Sequence, residues 1–112
     1  MSDEFMQEVD ATIEEDDPEE LLGVIIDVSL AAEDAMWAQI CFARLAQHPN
    51  VDVRGNAMIG FAHLAKRLGD LDQEIVAPIL EAGLHDEMEY VREQAEAALS
   101  ELREELGWRA GS

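Results

Sequence analysis

The chain has 112 residues, enough for one domain with its own apolar core and no need of disulfide or metal support. Its 26 acidic residues against 7 basic ones give a formal net charge of -19, which repels nucleic-acid phosphates and anionic membranes and draws basic partners. Cys41 is the only cysteine, so no internal disulfide forms, and the longest apolar cluster, LLGVIIDVSLAA, is broken by Asp27 and too short to span a bilayer.

The first twenty residues hold ten acids and no base, including the run Glu14 to Asp17. Residues 1–17 are therefore expected to be an acidic, partly disordered segment, although Phe5, Met6, Val9 and Ile13 are spaced for a short amphipathic helix. No basic region or early apolar run marks a signal peptide, and a cytoplasmic protein is expected. The rest keeps 16 acids against 7 bases, so the acidity extends into residues 18–112, expected to form a single helical domain.

Pro18 opens the first confident helix, EELLGVIIDVSLAA, with acids in its first turn. A second helix runs through DAMWAQICFARLAQ, where Trp37, Ile40, Cys41 and Leu45 are expected to share one apolar face. His48, Pro49 and Asn50 end it, and Asn50 suits the N-cap of a third helix reaching Leu68 and stopped by Gly69. A fourth starts near Asp72 and is expected to kink at Pro78; Asp86 introduces a fifth that ends at Gly107. No stretch alternates with period two, so the chain is expected to be all-α.

The third and fifth helices repeat at a separation of 38 residues: Val53-Arg54 matches Val91-Arg92, Ala57 matches Ala95, and Leu68-Gly69 matches Leu106-Gly107. A helix pair repeated at this period predicts an α-solenoid, whose units bury their apolar faces by stacking. The segments VDVR and EYVREQAEAAL, with Pro78 in a first helix and Asp86 in the turn, resemble HEAT repeats over roughly residues 34–106. The resemblance implies a short right-handed α-solenoid of about five helices, two HEAT-like pairs plus an N-terminal capping helix. It also implies that Arg54 and Arg92, with turn acids such as Asp52 and Asp86, hold neighbouring turns together as structural residues.

Within the third helix, Asn56, Gly60, His63 and Arg67 fall at steps of four, three and four, and Asp52 extends them by a turn. The second copy carries Tyr90, Gln94, Ala98, Glu101 and Glu105 at the same register. Asp52, Asn56, His63, Arg67, Tyr90, Gln94, Glu101 and Glu105 are thus the candidate partner-binding residues. Gly60 is either the low floor of that stripe or a structural residue admitting a neighbouring helix. Gly55, opposite Glu93 in the copy, reads as exposed and has no explanation in the sequence. Trp108 either caps the end of the fold or stands exposed.

No arrangement carries catalytic chemistry. Asp70, Asp72, Glu74 and Glu81 loosely follow a calcium loop, but Ile75 replaces the glycine of its sharp turn. His48, His63 and His85 lack metal-ligand spacing, and Glu81 with His85 suits a helix C-terminus. Cys41, on an apolar face, reads as a buried inert thiol. No cofactor or metal is expected, no direct contact with nucleic acid or membrane, and no enzyme.

The finer pattern WAQICFARLAQHPNVDVRGNAMIGFAHLAKRLGDLD is similar to small bacterial HEAT-like immunity proteins of contact-dependent growth inhibition and related toxin systems. That resemblance implies a protein that neutralises a basic toxin domain, such as a nuclease, by occlusion. A generic HEAT adaptor or assembly factor with another basic partner is the alternative. A HEAT-like lyase subunit, resembling the helpers that attach bilin chromophores, is a third; it needs a pocket with a nucleophile or acid pair.

Overall fold

The computed structural model describes residues 3–108 and is all-α. Its six helices are α1 (Asp3–Glu15), α2 (Pro18–Ala31), α3 (Ala35–Leu45), α4 (Val51–Leu68), α5 (Gln73–Gly83) and α6 (Glu89–Leu106). Helix starts follow the capping chemistry of the sequence. Asp17, Asp34, Asn50 and Asp72 each accept a backbone N–H of the first turn that follows, from Glu19, Trp37, Val53 and Glu74. α5 continues through the predicted kink site at Pro78 as one helix.

The acidic N-terminal segment supplies the sixth helix. α1 buries Val9 and Ile13, while Phe5 meets the Trp37 ring edge-on at 5.9 Å. Two buried aliphatics and an aromatic contact thus seat the short amphipathic helix for which Phe5, Met6, Val9 and Ile13 are spaced. The ends of both predicted ranges, residues 1–2 and 109–112, lie outside the described residues.

α4 is the central element: it packs against α2, α3, α5 and α6, while α1 packs on α2. The α4–α6 seam has contacts at both ends and the α2–α4 seam one at its far end, all in the same sense. Arg67, near the end of α4, reaches Ser29 near the end of α2; Asn56 meets Tyr90 near the starts of α4 and α6, and Lys66 meets Glu101 near their ends. α2, α4 and α6 therefore lie side by side and parallel, with α3 and α5 behind them. The molecule measures 37 × 30 × 18 Å, and its short axis matches two helix layers about 9 Å apart.

Phe42 and Phe61 meet edge to face at 6.0 Å in the core between α3 and α4. Gly60 makes this possible, because a Cβ there would stand 2.7 Å from the Phe42 ring. The expected inward face of α3 is corrected in one place: Ile40 is 49% exposed, while Phe42 is fully buried. Trp108 is buried with the core. Gln39, a buried polar residue, is satisfied by donating to the Ala35 carbonyl and accepting from the Asp72 amide at 2.6 Å, which ties α3 to the start of α5.

The repeat is visible in hydrogen bonds. Arg54 donates from Nη1 to the carbonyls of His48 and Pro49, six and five residues earlier, and Arg92 does the same to Asp86 and Glu87. Both α4 and α6 have 18 residues and end on a glycine in the left-handed region. Arg54 also grips Asp86 with a bidentate pair at 2.8 and 2.9 Å, joining the α3–α4 turn to the α5–α6 turn. One turn earlier, His48 Nε2 lies 2.5 Å from Asp16, joining the α1–α2 turn to the α3–α4 turn. Nδ1 of the same ring accepts the Asn50 amide, so a neutral His48 carries its proton on Nε2 and donates it to Asp16.

Candidate functional site

The parallel row α2–α4–α6 presents one solvent-facing side, and between α2 and α4 it opens into a groove of about 410 Å³. The groove wall is aliphatic, formed by Ile25, Ile26 and Leu30 of α2 and Ile59 of α4, with Asn56, His63, Lys66 and Arg67 along the α4 side. Ile26 is 58% exposed and Leu30 71%. These are large apolar side chains that folding leaves in water. α2 is apolar nearly all round, and its neighbours α1, α3 and α4 bury only part of that circumference.

Of the predicted partner-binding residues, Asn56, His63 and Arg67 come together in this groove. Asn56 donates from Nδ2 to the Asp52 carbonyl and to Tyr90 Oη at 3.0 Å, which fixes its amide between α4 and α6. His63 is exposed on the stripe. Arg67 is engaged in the fold: Nε donates to the Ser29 carbonyl at 2.7 Å and Nη2 donates to the carbonyls of Val28 and Ala32. Two of these carbonyls, Ser29 and Ala32, stand at the open end of α2, and the third, Val28, already accepts the Ala32 amide. Asp52 is exposed at the start of α4.

The second copy supplies the neighbouring edge. The Tyr90 ring packs against α4 at Gly55, which is buried, and a Cβ at Gly55 would stand 2.4 Å from that ring. The expectation of an exposed Gly55 is thereby corrected, and the residue is explained as the seat of Tyr90. Gln94 is half-buried, and Glu105 is exposed near the end of α6. Glu101 stands 3.6 Å from Lys66 Nζ, an ion-pair contact across the α4–α6 seam. Arg54, Arg92, Asp86 and Gly60 all make contacts that hold the helices and turns together, away from the groove wall.

Ile26 and Leu30 escape the sequence reading, as do Ile25, Ser29, Ile59 and Lys66. The signal for the first two is an apolar run on α2 wider than one buried stripe needs. Ser29 also lines the groove. Its residue is 9% exposed, and its Oγ is buried with no hydrogen-bond partner. A buried hydroxyl without a partner costs about 1–3 kcal/mol relative to one that is bonded.

The remaining candidates stay apart from the groove. Burial, with a smaller effect from the Asp10 charge, pushes the Cys41 thiol up to about 12, far from thiolate formation at neutral pH. Asp72 of the calcium-like run is the N-cap of α5, and among the described residues no three His, Cys, Asp or Glu side chains converge on a common point. No helix among the described residues is long and apolar enough to cross a membrane. In comparison with known proteins, the chain matches no family model, no curated protein and no solved structure.

Proposed function

We propose that this chain is a non-catalytic binding protein that docks a basic protein partner on the α2–α4–α6 face. The observation that carries the reading is the α2–α4 groove, where Ile26 and Leu30 stand exposed beside Asn56 and His63 on a chain of net charge -19. Exposed aliphatics in a groove with a polar rim have the composition of an interface core. A second copy of the chain brings the same charge, so self-association works against repulsion, whereas a basic partner is drawn in from a distance.

The finer architecture belongs to the same proposal. A right-handed HEAT-like solenoid fits the parallel row α2–α4–α6, the repeated Arg54 and Arg92 contacts, and the ties between successive turns. The partner that best suits the sequence resemblance and the charge is a toxin domain, such as a nuclease, whose active or substrate-binding surface the bound protein covers. The work is done in the cytoplasm and needs no cofactor.

The test is capture on the full chain from its native cells, with stepwise elution from low to high salt and identification by mass spectrometry. A basic toxin domain released as salt rises supports the reading. A partner held equally at low and high salt contradicts its electrostatic part.

A further inference from the structure

The ties between successive turns form a ladder whose rungs follow the repeat. Asp16 with His48 and Arg54 with Asp86 are each 32 residues apart. A step of 38 residues carries the first pair onto the second, so Asp16 takes the place of Arg54 and His48 that of Asp86. A further step carries Arg54 to Arg92. Arg92 begins the next rung in the same way. Its Nη1 holds the carbonyls of Asp86 and Glu87, as Nη1 of Arg54 holds those of His48 and Pro49.

The other halves of the two guanidinium groups differ. Nε and Nη2 of Arg54 donate to Oδ2 and Oδ1 of Asp86. Nε and Nη2 of Arg92 donate to nothing among the described residues, and Glu89 and Glu96, a helical turn to either side, form no ion pair with it. Among the described residues the buried side-chain atoms without a partner are Ser29 Oγ and Glu101 Oε2, so both Arg92 nitrogens face water. The Arg92 side chain is half-buried and tied down at Nη1. Its free edge is therefore a fixed pair of parallel donors, the geometry that matches a carboxylate.

The surface beside Arg92 decides what brings that carboxylate. α4 receives α6 with Gly55 against the Tyr90 ring, Asn56 on the Tyr90 hydroxyl and Lys66 opposite Glu101. The same positions of α6, one repeat on, are Glu93, Gln94 and Glu104, and both glutamates are exposed. The outward side of α6 thus carries acids where α4 carries a seat for a ring and a lysine. A second copy of the chain, with the same net charge of -19, is repelled there. We infer that Arg92 is a binding site for a single Asp or Glu side chain of a basic partner, whose flanking Lys and Arg residues meet Glu93 and Glu96. The site lies at the α5–α6 turn, away from the α2–α4 groove. It takes from the docking reading only the basic character of the partner, so either can fail alone.

Two synthetic lysine-rich helical peptides test it. One carries a single Asp just ahead of its helix, as Asp86 stands ahead of α6, and the other carries Asn there. Each is titrated by fluorescence anisotropy against the full chain at low ionic strength. The Asp peptide should bind about fivefold more tightly, as expected of a partly exposed bidentate pair. General attraction to an acidic chain works the other way, because the Asn peptide carries one more positive charge. In Arg92→Lys the advantage of Asp should disappear, since an ammonium keeps the charge and cannot make the fork. In Arg103→Lys, at an exposed position of the same helix, it should persist. The Nε–Hε NMR signal of Arg92 in the wild type should shift with the Asp peptide and stay with the Asn peptide, a readout that needs no variant of the chain.

Equal or tighter binding of the Asn peptide to the wild type overturns the inference. An Asp preference that survives in Arg92→Lys overturns it as well, because the carboxylate is then held elsewhere. Binding of neither peptide also overturns it, and leaves the groove reading to its own test on Ile26 and Leu30.

Discussion

Arg54 and Asp86, 32 residues apart in sequence, form a bidentate ion pair that fastens the turn before α4 to the turn before α6. The side chains are 17% and 16% exposed, so the pair is largely shielded from water. Asp86 also accepts the Met88 amide and so supports the start of α6 with a group no N-cap side chain supplies. Removal of the carboxylate in Asp86→Ala leaves the Arg54 fork half-empty, and is expected to cost about 2 kcal/mol in urea denaturation. Arg54→Lys recovers only part of this, because an ammonium cannot make the bidentate contact.

The same pair gives a pH dependence. Hydrogen bonding from Arg54 holds the Asp86 carboxyl below its ordinary value. A carboxylate lowered in the folded state contributes stability that is fully present above its unfolded pKa of about 3.9 and is lost as pH falls through the lower folded value. Arg54, raised by the same hydrogen bond, stays charged throughout that range. Acid titration of stability should therefore show a loss below about pH 4 that is smaller in Asp86→Asn.

Gly55 and Gly23 both interrupt helices, yet alanine should act on them in opposite directions. A Cβ at Gly55 meets the Tyr90 ring at 2.4 Å, whereas one at Gly23 finds nothing within 4 Å. Gly55→Ala is expected to destabilise by about 1–3 kcal/mol through overpacking, even after its gain in helix propensity. Gly23→Ala should stabilise by up to about 1 kcal/mol. In a Tyr90→Ala background the penalty at Gly55 should vanish, which a double-mutant cycle in urea measures directly.

Cys41 should be silent to thiol reagents. With a residue exposure of 2% and a thiol pushed up to about 12, it is neither accessible nor ionised near neutral pH. Reaction with a chromogenic disulfide at mild alkaline pH should be slow in the native protein and rapid after unfolding in urea. Fast native labelling would show that the core between α1 and α3 opens readily.

The contrast between Asn56 and Gly55 shows how much of the site was legible in the sequence. Periodicity alone aligned Asn56 and His63, because a stripe on one helix needs only the spacing of 3.6 residues. The helix starts at Asn50 and Asp72 were equally legible, since capping is local chemistry. Gly55 was not. The repeat equates residues 38 apart, but residues that touch across α4 and α6 are 34 or 35 apart, as in Asn56–Tyr90 and Lys66–Glu101. Equivalent positions in stacked units are displaced by about a helical turn from contacting ones, so Glu93 was the wrong neighbour to consult and Tyr90 the right one. Ile26 and Leu30 needed the fold for a related reason: only the placement of α1, α3 and α4 around α2 decides which part of an all-apolar helix stays uncovered.

The measurement that tests the account most directly is capture of the native partner by the wild-type chain and by the variant carrying Ile26→Glu and Leu30→Glu, side by side, with thermal melts of both. Both positions are exposed, so the melts should nearly coincide. The wild type should retain a basic protein and the variant should lose it. Equal retention of that protein by both chains would contradict the assignment of the α2–α4 groove as the docking surface.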